Sequence, residues 1–143
     1  MMGTVFSVIA GAAMSVQGVF NTAVSGTAGL YEANTFIQGT AFLLSLVLGL
    51  FLGDGSYNKL FSVNKIYLTG GILGVLITVF VMLAIKHKGA TVAVSVILVS
   101  QLLTAALIDA FGLFETQKIA FGLYKYLGLL LMIAGVIIFK KEI

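Results

Sequence analysis

Six side chains in this 143-residue chain carry groups that could bind or move a solute: the amides of Gln17, Asn21, Asn34, Gln38 and Gln101, and the carboxylate of Asp109. A carboxamide donates and accepts hydrogen bonds without carrying charge, so a set of amides recognises a polar solute by its pattern of donors and acceptors. A carboxylate adds charge and can pair with a cation or carry a proton. The surroundings of these groups sharpen the question. Gln17 and Asn21 stand one helical turn apart in a stretch from Gly3 to Val24 that has no charged residue and is long enough to cross a bilayer. An amide without a partner in hydrocarbon is costly, so these groups either find partners or face water.

Composition fixes the surroundings. Hydrophobic residues make up 60% of the chain and charged ones 9%, against about 25% charged in an ordinary soluble domain. A soluble core of this size could not hide so much apolar surface. The chain reads as an all-α integral membrane protein, multi-pass in the cell (plasma or inner) membrane, forming a single transmembrane domain over 1–143. Cysteine is absent, which excludes disulfides and thiolate metal sites. The lone His87, between two lysines in KHKG, reads as a solvated loop residue. Neither a nucleophile–base pair nor a metal-ligand cluster stands out, so no enzyme, cofactor or metal is expected. The net charge of +3, from lysines spread along the chain, suits membrane lipid headgroups and not nucleic acid.

A transmembrane helix needs about 20 apolar residues, and five windows supply them: 3–24, 33–53, 65–86, 89–113 and 121–139. Between them SGTAGLYEA, GDGSYNKLFSVN, KHKG and ETQKIA have the composition of turns. The first window lacks the basic start and cleavage pattern of a secretory signal and reads as retained. Without proline no span is forced to kink, and the 17 glycines become the expected sites of close packing or bending. Five spans put the termini on opposite sides. Lys59, Lys65, Lys118 and Lys125 then lie on one side and Lys86, Lys88, Lys140 and Lys141 on the other. Orientation follows the Lys/Arg imbalance of short loops, and here there is none, so both orientations are expected.

Helical phase orders the polar residues. Ser7, Gly11, Ser15, Gly18, Thr22 and Ser25 form a small-residue ridge on the first span, with Gln17 and Asn21 on its flank. On the second span Tyr31, Asn34, Gln38, Ser45 and Gly49 share a face. Gln101 stands near the middle of the fourth span, with Asp109 roughly 12 Å further along the axis. Three helices turning amides inward suggest a polar cavity; the alternative is interhelical hydrogen bonds averaging about 0.6 kcal/mol apiece. Asp109 is the one carboxylate well inside a span, since Glu32 and Asp54 flank the second span and Glu115 and Glu142 lie in a loop and a tail. A carboxylate in a membrane interior is a functional candidate by default, although near the end of its helix Asp109 could also reach the interface.

The residues GAAMSVQGVFNTAVSG at 11–26, GGILG at 70–74, SQLLTAALIDAFGLF at 100–114 and GLLLMIAGVIIFKK at 128–141 resemble the small YdcZ-type, five-helix branch of the drug/metabolite transporter superfamily, over essentially the whole chain. In the four-helix small multidrug exporters of that superfamily the last helix carries two glycines seven apart and mediates dimerisation. Gly128 and Gly135 match that spacing. Those exporters also carry a glutamate in mid first helix, where this chain has Gln17 and no acid. Larger members have ten spans in two inverted five-helix repeats. No internal repeat is visible here, so the resemblance implies half of that architecture, completed by a second, inverted copy.

The expected function is alternating-access transport of a small polar solute by an antiparallel homodimer, with Gln17, Asn21, Asn34, Gln38 and Gln101 on the cavity wall and Asp109 as charge partner or proton carrier. A dual-topology ion channel and a non-transporting membrane subunit are the alternatives. With span centres near residues 14 and 101, Asn21 lies roughly 10 Å from the midplane on one side and Asp109 roughly 12 Å on the other. Inverting a second copy carries its Asp109 to the level of the first copy's Asn21.

Overall fold

The computed structural model describes residues 2–119 and 122–141; Glu142, read above as part of a tail, lies outside them. Four α-helices run in order: α1 (Met2–Ala28), α2 (Leu30–Leu52), α3 (Gly70–Phe111) and α4 (Leu123–Lys141). Short 3-10 segments occupy Tyr57–Ser62, Lys65–Thr69 and Leu113–Glu115. All four helices have the length and apolar composition to cross a membrane. Large side chains that would form the core of a soluble protein lie outside, with Phe51 82% and Phe61 86% exposed. This suits a bilayer, whose tails solvate them as well as a protein interior would.

Helix α3 holds 42 residues, about 63 Å of helical rise and twice the thickness of a hydrocarbon core. It is two helical stretches meeting at Gly89, whose φ of 73° and ψ of 162° are far from helical. The KHKG loop expected from the sequence is therefore not a loop. Lys86, His87 and Lys88 are helical and exposed, and Gly89 alone leaves the helical region. The nine-residue turn expected between the first two spans contracts in the same way to Gly29, at φ 102°. The Gly29 amide donates to Ser25 O at 3.2 Å and its carbonyl accepts from Ala33 N at 3.0 Å. The cause is common to both places: near hydrocarbon each freed N–H or C=O is expensive, so the helices run on until a glycine can turn the chain within one residue.

The chain divides into two compact units, Met1–Lys86 and His87–Ile143. In the first, α2 packs along α1 and the 70–86 part of α3 meets both. Gly18 makes the approach to α3 possible, since a Cβ there would stand 2.8 Å from Ile85 Cδ1 and 3.2 Å from Val81 Cγ1. Gln38 Nε2 donates to Thr78 Oγ1 at 3.1 Å, joining α2 to α3. Gly18, Asn21, Ala33, Asn34, Met82 and Ile85 are buried. In the second unit the 90–111 stretch ends at Gly112, which takes φ 63°. The chain then folds back so that Ile119 N donates to the main-chain oxygen of Asp109 at 2.9 Å. Phe114 and Glu115 also hold positive φ in this turn, at roughly 1–2 kcal/mol each.

Candidate functional site

The six residues singled out by their chemistry do not meet in one cavity. Asn21 is buried and Gln17, one turn before it, is exposed. Together they line an open cleft of about 360 Å³ between α1 and α2, closed on the α2 side by Ile37, Thr40, Ala41 and Leu44. The same two amides line a longer groove along α1 with Val8, Ala12, Val16 and Phe20. Serine and threonine hydroxyls on the α1 ridge are already occupied: Ser7, Ser15 and Thr22 bond back to the carbonyls of Gly3, Gly11 and Gly18. The donor hydrogens of these three hydroxyls are therefore spent.

Asn34 and Gln38 point elsewhere. Gln38 is half-buried, and its partner Thr78 passes its own proton to Gly74 O at 2.9 Å. Asn34 is 7% exposed and its Oδ1 has no hydrogen-bond partner, the one buried side-chain atom in that state among the described residues. The rest of the α2 polar stripe is divided: Tyr31 is 72% exposed, Ser45 is exposed, and Gly49 leaves room for the Tyr57 hydroxyl. One stripe thus serves as helix glue at Gln38 and holds an unsatisfied acceptor at Asn34.

The second unit carries the charges. Asp109, half-buried, lines a cleft of about 470 Å³ with Leu102, Ala105 and Ala106 from its own helix and Lys125, Gly128, Leu129 and Met132 from α4. Gln101, one residue before Leu102, is exposed and does not line it. Two features of this cleft were not legible as site residues. Lys125 counts in the sequence only toward membrane orientation, yet it is the single charge among the apolar residues that open α4, a signal that could have marked it. Gly128, singled out with Gly135 for dimerisation, stands on the cleft wall; a Cβ on either would meet nothing within 4 Å. Among the described residues no group of three or more His, Cys, Asp or Glu side chains could hold a metal ion.

The family model described as "Putative inner membrane exporter, YdcZ" matches residues 2–138. The chain belongs to the YdcZ family. No curated protein and no solved structure matches it. The YdcZ match takes in parts of both units and every candidate site residue, from Gln17 to Gly135. The protein is accordingly an all-α, multi-pass protein of the inner membrane, in a family described as exporters, and not one described by a catalytic activity.

Proposed function

We propose that this YdcZ-family chain exports a small polar solute by alternating access, as an antiparallel homodimer whose chains each cross the membrane five times. The stretches of α3 on either side of Gly89 would be separate crossings. Gln17 and Asn21 of one copy would fix the solute, Asp109 of the other would supply charge or carry a proton, and Gly128 and Gly135 would let two α4 helices approach. Gln101 would extend the polar path, while Gln38, bonded to Thr78, would hold α2 to α3.

The observation that carries this reading is the exposed Gln17 beside Asn21 on a groove of α1 that is otherwise apolar. An amide turned outward in hydrocarbon is costly. A second copy laid on this face would cover it, and the balanced lysines permit the inverted orientation that levels its Asp109 with Asn21. Transporters built from inverted halves place their sites between the halves; this composite pocket would lie between the two copies, roughly 10 Å from the midplane by helical rise.

Mixed dimers test the proposal. A Gln17→Ala, Asn21→Ala chain and an Asp109→Asn chain should each abolish solute efflux as homodimers. Co-expressed, they put all the damage into one of two composite sites and leave the other intact, so efflux should return to a measurable fraction of wild type. A mixture as inactive as its parents, or full activity in Asp109→Asn alone, overturns the composite site.

A further inference from the structure

The cleft of about 360 Å³ between α1 and α2 brings Gln17 and Asn21 together with Thr40, and its remaining lining is apolar, with Phe36 the one aromatic ring. Asn21 is only 9% exposed, yet it lines this space, and neither it nor Gln17 is bonded to another group among the described residues. A largely buried amide without a partner is costly. The α1 wall therefore carries an unmet demand for hydrogen bonds that points into the cleft.

Thr40 narrows that demand. Its Oγ1 donates its one proton to Phe36 O at 3.0 Å and Ile37 O at 2.9 Å, so toward the cleft the oxygen can only accept. A carboxamide offers both an N–H and a C=O. The α1 wall thus suits a donor beside an acceptor, and the α2 wall suits a further donor. No charged side chain lines the cleft, so within this unit a charged solute would give up water without meeting a counter-charge.

We propose that this cleft binds a neutral solute bearing a cyclic urea edge, N–H, C=O and N–H in a row. One N–H and the C=O pair with the Gln17 and Asn21 amides, the second N–H donates to Thr40 Oγ1, and the flat ring lies against Phe36. The volume falls within the range of about 300–1,000 Å³ common to small-molecule sites. The inference deepens the exporter reading by naming its class of solute, and rests on that reading for the solute's movement. A neutral solute has no charge to pair with, which leaves Asp109 of the second copy the role of proton carrier.

The test uses the full chain in a non-ionic detergent and differential scanning calorimetry, because a ligand that binds only the folded state raises its unfolding midpoint. The probes are propyleneurea, with two ring N–H groups; δ-valerolactam, a ring of the same size with one; N,N′-dimethylpropyleneurea, with none; and δ-aminovalerate, the charged, ring-opened form of the lactam. Propyleneurea should raise the midpoint at concentrations about fivefold lower than δ-valerolactam, the effect of one added hydrogen bond. The dimethylated urea and δ-aminovalerate should not raise it. Thr40→Val should bring urea and lactam level. Thr35→Val removes a hydroxyl of the same helix that bonds back to Tyr31 O in the same way but lies outside the cleft, and should leave the fivefold difference intact. Gln17→Leu should weaken urea and lactam alike.

Equal shifts from all four probes overturn the inference, as does the absence of a shift from any of them. An advantage of urea over lactam that survives Thr40→Val also overturns it. Gln17 and Thr40 are exposed, so these variants should fold; if either does not, the wild-type order of the probes decides. Preferential binding without efflux of propyleneurea from proteoliposomes overturns the exporter reading alone, and complementing mixed dimers without the preference overturn this inference alone.

Discussion

The two units solve the problem of polarity in a membrane in opposite ways. In Met1–Lys86 the interior polar groups are uncharged, and the helices close on them: Gly18 admits Ile85 and Val81, Gln38 is tied to Thr78, and Asn21 and Asn34 are buried. In His87–Ile143 the polar groups are Asp109 and Lys125, and the helices stay apart around them to leave an open cleft. An amide can be satisfied by one neighbouring hydroxyl and packed over. A charge demands a counter-charge or water, so packing over it costs more than leaving space. Both units leave clefts open beside polar groups, and only the amide unit also closes its helices directly on some of them.

The largest effect should come from overfilling the packed side. Gly18→Leu forces its first carbon against Ile85 and Val81 and should cost about 1–3 kcal/mol, seen as a lower unfolding midpoint. Gly11→Leu, on the same ridge with nothing within 4 Å, should cost nothing measurable. Similar losses from both would mean that the contact at Gly18 is not what holds α1 to α3.

A smaller effect, of opposite sign, is expected at Asn34. Its unpartnered buried oxygen carries a desolvation penalty of about 1–3 kcal/mol, so Asn34→Leu should leave stability unchanged or raise it by about 1 kcal/mol. A clear loss of stability would show that the amide has a partner supplied from outside its unit. The smallest effect should be that of the bond from Gln38 to Thr78. Thr78→Val keeps the shape and removes the acceptor, and should cost about 0.6 kcal/mol, the average for such bonds within membranes. A loss several times larger would make this pair a keystone of the unit and not one contact among many.

The make-up of the candidate site, though not its arrangement, was legible before the fold. The amides, Asp109 and the small-residue ridge follow from residue type and a period of 3.6. The expectation that glycines and not prolines would mark bends holds at Gly29 and Gly89, both at positive φ. Loop lengths were misread, because SGTAGLYEA and KHKG have the composition of turns while their neighbours make helix the cheaper state. The partnership of Gln38 with Thr78, forty residues apart, and the meeting of Asp109 and Lys125 on the wall of one cleft have no local signature.

By itself the sequence determined the class of this protein: 60% hydrophobic and 9% charged residues admit helices in a bilayer and little else, because each backbone polar group must be satisfied within its own segment. Period and composition likewise decided which faces carry amides and where the one interior carboxylate lies. Only the tertiary structure decided which polar groups are spent on holding helices together and which line open clefts. That choice depends on distances between residues remote in the chain, such as Gly18 from Ile85 or Asp109 from α4, and closer packing of the same helices would turn an open cleft into core.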